Sequence, residues 1–235
     1  MRILGTVCVR GGSKGLKNKN FRLINGKPLL SYTFKAFKAW GRADRIICST
    51  DSLELQKIAR KYGAETPFLR PAELATDEMA KLDVLRHALK FCENEEKKRY
   101  DYLIDLDATS PLRTIKDIET SFNRLENSDA DLITSAYLAE RNPYFNMVEL
   151  DENGYAVLCK IPEKPIVARQ QAPLVYSLNA SIWVFKRNYL LETSYVLSGK
   201  TLIYEMPDTS IDIDRQIDID FIEFMIREEK FNFDF

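Results

Sequence analysis

The chain has 235 residues, with Lys plus Arg at 34, Asp plus Glu at 35 and a net charge of -1. That length carries one α/β domain with an appendage and ample core, and near-neutrality excludes a global basic face for nucleic acid, so any phosphate binding must be local. No apolar run reaches the roughly 18 residues of a membrane span and no signal peptide is visible; with Cys8, Cys48, Cys92 and Cys159 far apart and without a C-x-x-C pair, the expectation is a cytoplasmic protein with free thiols and neither membrane nor nucleic acid as partner.

In chain order, Ile3 to Val9 reads as an apolar strand. It runs straight into Arg10-Gly-Gly-Ser-Lys-Gly-Leu-Lys-Asn-Lys-Asn20, a loop that sets Arg10, Lys14, Lys17 and Lys19 around Gly11, Gly12 and Gly15. Glycines admit positive φ and close backbone approach. Successive N–H groups can form an anion nest, to which Arg and Lys add charge and directed donors. A polyphosphate suits this arrangement. The spacing is neither a P-loop nor a dinucleotide fingerprint, and a solvated basic surface loop is the alternative.

Apolar spacing predicts a helix from Pro28 to Ala39, a short strand at Arg45–Ser49, and a helix from Asp51 to Tyr62 closed by Gly63. Glu65–Leu69 reads as a strand, Glu78 to Glu93 as a helix, Tyr102–Leu106 as a strand, Ile115–Leu125 as a helix and Asp131–Leu138 as a strand. This βαβα order predicts an α/β fold, a mostly parallel doubly wound sheet with helices on both faces. Ligands sit at the carboxyl ends of strands in such sheets, where the glycine loop also lies. After about Glu140 the rhythm breaks. Phe145–Leu150 and Tyr155–Ile161 flank Asp151-Glu-Asn-Gly154 as a β-hairpin. A Pro-rich basic stretch follows to Pro173. The reading is a single domain over residues 1–235, with 142–173 as an inserted β arm. The chain returns to the sheet at Ala180–Phe185, and a strand at Leu202–Met206 precedes a helix from about Arg215 to Glu229.

Two acidic pairs stand out. In Ser210-Ile-Asp-Ile-Asp214 an extended backbone puts Asp212 and Asp214 on one side. Paired carboxylates are costly unless a cation joins them, and oxygen ligands suit Mg²⁺. A helix N-cap at Asp214 is the plainer use. Asp218 and Asp220 fall on the following helix, where two residues apart means different faces. In Asp105-Leu-Asp107-Ala-Thr-Ser-Pro-Leu-Arg113, Asp105 and Asp107 share a face at a strand's carboxyl end and could hold metal or a sugar hydroxyl; a loop cap at Asp107 fits as well. Arg169 is a candidate for a carboxylate or phosphate, or an exposed arm residue. The single histidine, His87, falls inside a helix as a surface or packed residue, so acyl-transfer hydrolysis and zinc chemistry are not expected.

These pieces together resemble the CMP-sialic acid synthetases, or acylneuraminate cytidylyltransferases. The match runs in family order over essentially the whole chain: Arg10 to Asn20, Asn25-Gly-Lys-Pro-Leu-Leu30, Ser49-Thr-Asp51, Arg70-Pro-Ala-Glu-Leu-Ala75, Thr109-Ser-Pro-Leu-Arg113, Arg169-Gln-Gln171, Asn179 and Ser210 to Asp214. The resemblance implies that CTP and a nine-carbon 2-keto sugar acid give a CMP-sugar and pyrophosphate, with Mg²⁺ as cofactor. It places Arg10, Gly11, Gly12, Ser13, Lys14, Gly15, Lys19 and Asn20 around CTP, with Arg10, Lys14, Lys19 and Asp212 catalytic. It assigns Asp212 and Asp214 to the metal, and Arg169, Gln170 and Asn179 to the sugar. It also implies a homodimer built through the arm.

Two departures fall on the sugar side. Asp107 stands where the sialic acid enzymes commonly have Gln, and Ser177 where they commonly have Arg. The altered stretches look more like the legionaminic acid type, with N-acetylneuraminate and pseudaminate as alternatives, and Asp107 and Ser177 join the sugar-side residues. A nucleotide-sugar glycosyltransferase and a non-catalytic nucleotide-binding protein are the rivals from other classes.

Overall fold

The computed structural model describes residues 1–12, 16–206 and 211–235. Strand β1 (Ile3–Cys8) leads to a 3₁₀ turn at Lys19–Phe21 and a small hairpin of β2 (Leu23–Ile24) and β3 (Lys27–Pro28). Asn25 and Gly26 both take positive φ, 46° and 71°, as a two-residue hairpin turn requires. Then come α1 (Leu29–Trp40), β4 (Arg45–Ser49), α2 (Leu53–Lys61), α3 (Lys81–Glu96), β5 (Tyr102–Leu106), α4 (Ile115–Glu126) and β6 (Leu132–Leu138). A second hairpin, β7 (Val148–Leu150) and β8 (Ala156–Leu158), is followed by β9 (Tyr176–Lys186), α5 (Arg187–Glu192), β10 (Thr201–Glu205) and α6 (Gln216–Arg227).

Six strands form the main sheet in the order β10-β6-β9-β5-β1-β4. All run parallel except β9, which is antiparallel to both β5 and β6. Side chains alternate across the sheet, so neighbouring residues feed different cores. Ile3, Val7, Ile104, Ile133 and Val184 meet α1, α2 and α4 on one face. Leu4, Leu103, Leu132, Trp183 and Phe185 meet α3 and α5 on the other. A third cluster packs α6 against Ile24, Leu29 and Tyr32 through Ile213, Ile219 and Ile222. The doubly wound reading is therefore the observed architecture.

Some local expectations differ. Glu65–Leu69 is not a strand: Glu65 makes one isolated parallel bridge with Ile47, and Pro67, which has no N–H to donate, follows at once. Helix α3 begins at Lys81 rather than Glu78, because Ala80 is extended at ψ 137°. The β7–β8 hairpin forms a separate two-stranded sheet whose residues are mostly exposed.

Candidate active site

The carboxyl ends of β1 and β5 open into a cleft of about 250 Å³, lined among others by Cys8, Arg10, Asn20, Arg70, Asp77, Lys81, Asp107 and Thr109. Strand β1 delivers the basic loop to this edge. Arg10 pairs with Asp77 at the cleft wall. Asn20, only 6% exposed, ties the loop back on itself: its Nδ2 donates to the Arg10 carbonyl at 2.9 Å. Its Oδ1 is buried and has no hydrogen-bond partner among the described residues. That leaves an acceptor, which suits a substrate O–H or N–H.

Gly11 donates its N–H to Asp51 Oδ1 at 2.8 Å, and a Cβ there would come within 3.1 Å of the Ser52 Cβ. Close approach, rather than positive φ, is what this glycine supplies. Neither Gly11 nor Gly12 takes a positive φ; among the described residues of this stretch Asn18 takes one, at 57°. Gly12 has open space around its Cβ position. Ser13, Lys14, Gly15 and Ser210 lie outside the described residues.

The two acidic pairs have different surroundings. Asp105 is 1% exposed; it accepts from Thr6 Oγ1 at 2.7 Å and meets Lys81 Nζ at 2.8 Å. Asp107 Oδ1 accepts from the Thr109 N–H at 3.1 Å and hydroxyl at 2.9 Å, and Oδ2 lies 3.5 Å from Lys81 Nζ. Burial works to raise the Asp107 carboxyl, but Lys81, Thr109 and Arg113 outweigh it and hold the group below its usual range. Burial likewise works to lower the Lys81 ammonium, and Asp105 and Asp107 overcome it and raise it. Arg113 is fully buried and donates to the carbonyls of Asp107 and Ser110, pinning the loop; burial pushes its guanidinium down to about 10 despite three nearby carboxylates.

Asp212 and Asp214 flank Ile213, which is fully buried, and the Ile213 N–H donates to the Thr109 carbonyl at 2.9 Å. The segment has no regular secondary structure, and both carboxylates are exposed on either side of Ile213. Asp214 meets Lys19 Nζ at 3.0 Å. Asp212 is raised, chiefly by desolvation and further by Asp107 and Asp214, against the lowering effects of the Thr109 hydroxyl and Lys19. The capping role at the start of α6 belongs to Asp218, whose Oδ2 accepts from the N–H groups of Asp214 at 3.0 Å and Arg215 at 2.7 Å. Asp220 accepts from Gln216 on the same helix.

The sugar-side residues are not all brought to this cleft. Asp107 lines it, but Ser177 lines a second cavity of about 520 Å³ with Tyr137, Glu140, Arg141, Met147 and Tyr176. Exposed Arg169 reaches the Ala139 carbonyl, on the rim of that second cavity, at 3.3 Å. Gln170 is exposed beside it in a 3₁₀ turn. Asn179 lies inside the sheet: its Oδ1 accepts from Ser135 Oγ at 2.6 Å, its Nδ2 faces Met206 Sδ at 3.1 Å, and its carbonyl accepts from Ser110 Oγ at 2.9 Å. In this arrangement Asn179 supports the Asp107–Arg113 loop from behind. His87 packs edge-on to Phe68 at 4.6 Å, and burial lowers its imidazole.

Sequence reasoning passed over Lys81 and Arg70. Arg70 is 7% exposed and its guanidinium donates to Ser49 Oγ and the Ser49 carbonyl at the end of β4. Both lie at helix or loop positions with no periodic signal, though Arg70 opens the Arg70-Pro-Ala-Glu-Leu-Ala75 run.

A family model described as cytidylyltransferase matches residues 5–232. The chain is 42% identical over 228 residues to a post-translational flagellin modification protein B of Campylobacter coli, covering 97% of this chain and 96% of that one. It is 45% identical over 225 residues to a CMP-N,N'-diacetyllegionaminic acid synthase of Campylobacter jejuni subsp. jejuni serotype O:2, covering 95% and 94%. A solved CMP:2-keto-3-deoxy-manno-octonic acid synthetase complexed with CTP shares the fold, with a TM-score of 0.72 at 15% identity over 97% of this chain and 100% of that one.

Proposed function

This chain belongs to the cytidylyltransferase family, and on that premise we propose that it transfers CMP from CTP to a nine-carbon 2-keto sugar acid of the legionaminic acid type, with release of pyrophosphate. It is a nucleotidyltransferase; the sugar is the part that the departures at Asp107 and Ser177 and the named relatives support. The observation that carries the reading is the Lys19–Asp214 contact of 3.0 Å, which joins the basic loop at the end of β1 to the Asp212–Asp214 pair; Thr109, which lines the cleft, accepts at its carbonyl from the Ile213 N–H between the two acids. Cations for a triphosphate and carboxylates for a metal thereby meet at one edge.

The anomeric hydroxyl attacks the α-phosphorus in line. The new bond is sugar oxygen to phosphorus, and the bond to the pyrophosphate oxygen breaks. Positioning and charge neutralisation then account for the catalysis. Arg10 and Lys19, with Lys14 from the loop, meet the phosphates; the Arg10–Asp77 pair is the contact a triphosphate competes with. Asn20 holds the loop and offers its buried Oδ1 to the nucleotide.

Mg²⁺ is the cofactor of this reading, and the donor set fits it. Asp212 and Asp214 are exposed on either side of buried Ile213, and desolvation together with Asp107 and Asp214 disfavours the Asp212 charge that a cation would stabilise. Mg²⁺ is held by one or two carboxylates plus substrate phosphates rather than by a protein cage, consistent with the lack of a three-ligand group among the described residues. When bound, the ion neutralises charge on the triphosphate.

The arm makes a homodimer in this reading. Leu150, Tyr155 and Ile161 are 71%, 70% and 85% exposed, a concentration of apolar surface that a second copy would cover. The setting is the cytoplasm, supported by four free cysteines and by the absence, among the described residues, of a helix long and apolar enough to cross a membrane. Light scattering tests the dimer. Mass spectrometry of the products formed from CTP and Mg²⁺ with legionaminic, N-acetylneuraminic and pseudaminic acids tests the reaction. CMP-legionaminate is the expected main product; transfer from a CMP- or UDP-sugar instead of pyrophosphate release overturns the reading.

A further inference from the structure

We propose that Lys81 is a positioning residue that holds Asp107 as a fixed acceptor in the cleft, and that the group Asp107 accepts from is a neutral O–H or N–H donor on the sugar acid. The inference rests on the reading above and adds to it a residue outside the phosphate loop and the metal pair.

Lys81 is the first residue of α3, and its Nζ lies 2.8 Å from Asp105 Oδ2 and 3.5 Å from Asp107 Oδ2. The register explains the meeting. Leu4, Thr6, Leu103 and Asp105 alternate onto the α3 face of the sheet, and Asp107 lies two residues further along, just past the end of β5. One ammonium therefore answers two carboxylates. Asp105 is buried at 1% exposure and is saturated by Thr6 and Lys81. It serves as the anchor. Asp107 is the outer carboxylate, with 25% of its side chain exposed on the cleft wall. Its Oδ1 is taken by both donors of Thr109, so Oδ2 is the atom left for a ligand. Lys81 fixes that atom's direction and prevents repulsion between the two acids.

Charge decides what can bind there. An ionised carboxylate oxygen has only acceptor sites, so Asp107 Oδ2 takes a hydroxyl or amide N–H and not an oxygen of a phosphate or of the sugar's own carboxylate. Connectivity decides which substrate brings it. Thr109, which clamps Asp107, also lies against Asp212 and gives its carbonyl to the Ile213 N–H. Asp107 is thereby tied to the metal-side carboxylates, at the end of the cleft where the attacking sugar must stand. A rigidly presented acceptor discriminates strongly, because a substrate lacking the matching donor leaves it buried and unpaired.

The test is a double-mutant cycle with Lys81→Met, Asp107→Asn and the pair, read in kcat/KM for legionaminic acid at saturating CTP, with CTP affinity measured by calorimetry. Each single change is expected to lower kcat/KM for the sugar by about tenfold to a hundredfold, with CTP Kd within about twofold; because the two side chains act as one unit, the pair is expected to cost no more than the worse single change. Lys81→Arg is expected to recover part of the loss, which a purely structural lysine would also do for stability but not for the sugar KM. If Lys81→Met does not fold because Asp105 is left charged, Lys81→Met with Asp105→Asn removes that charge and keeps an acceptor for Thr6. Losses that multiply, a CTP Kd that weakens as much as sugar use, or unchanged sugar kinetics each overturn the proposal. Failure of the underlying reading is separate: the unmodified protein would then make no CMP-sugar from any acid in the panel.

Discussion

Two Asp-x-Asp pairs meet around Thr109, and the protein treats them in opposite ways. Asp105 and Asp107 come from the end of β5, where Lys81, Thr6, Thr109 and Arg113 supply cations and donors, and the outer carboxyl sits below its ordinary range. Asp212 and Asp214 come from a segment without strand pairing that Ile213 anchors; Lys19 answers Asp214, and Asp212 sits above its ordinary range. The same three-residue pattern thus makes one pair faced by Lys81 and Arg113 and one that, in the proposed reading, a bound cation would neutralise. A carboxyl pair is informative about metal only after the surrounding cations have been counted.

The sharpest way to break the comparison is to remove the second pair. Asp212→Asn or Asp214→Asn is expected to lower kcat by about a hundredfold or more, as loss of a major electrostatic contribution does. Chelation of divalent ions should abolish turnover of the unmodified enzyme and be reversed by Mg²⁺. Near-normal rates in both variants would move the metal elsewhere.

Lys14→Ala is expected to weaken CTP handling by about tenfold to a hundredfold, the scale of one charge-assisted phosphate contact, and equally with every sugar acid. A loss confined to one sugar, seen in steady-state kinetics across the panel, would mean that the loop serves the acceptor.

Exchange at the sugar side is expected to be smaller. Asp107→Gln with Ser177→Arg should shift the kcat/KM ratio toward N-acetylneuraminate by roughly tenfold, the value of one or two altered polar contacts. The two residues line different cavities, so the single variants should add. A fall for both sugars with an unchanged ratio would place Asp107 with the metal group instead.

The smallest effect is on stability, and its sign differs between the pairs. A raised carboxyl favours the folded state at low pH and loses that contribution as pH rises through its folded value, so at neutral pH the charge on Asp212 opposes folding. Asp212→Asn in metal-free buffer is therefore expected to raise Tm at pH 7, by no more than about 2 °C for an exposed group in a chain of this length. Asp107, held low, contributes stability at neutral pH that is lost as the pH falls through its depressed value, so Asp107→Asn is expected to lower Tm at pH 7. Calorimetric scans at pH 7 and at about pH 3, below the ordinary Asp value of about 3.9, check both signs.

Much of the sheet was legible because its strands are short apolar runs that alternate with helical periods. Arg45–Ser49 and Tyr102–Leu106 coincide with β4 and β5, and the hairpin around Asp151 to Gly154 was announced by its turn residues. The strand expected at Glu65–Leu69 failed for a local reason, since Pro67 cannot donate to a ladder. The antiparallel direction of β9 was not legible, because the alternation of Tyr176–Lys186 is the same whichever way the strand runs. Asn179 shows the same limit: its place in a quoted motif says nothing of which way its side chain points, and the structure points it at Ser135 and Met206.

The sequence by itself determined the fold class, the basic loop at the end of the first strand and the two acidic pairs, because periodicity and residue chemistry are local properties of the chain. Only the tertiary structure decided that Lys81 spans Asp105 and Asp107, that Lys19 reaches Asp214 across 195 positions, and that Ser177 faces a cavity other than the one Asp107 lines. These are pairings between distant elements. They depend on strand order and helix placement, and a charge acquires its role only from the charges that folding brings beside it.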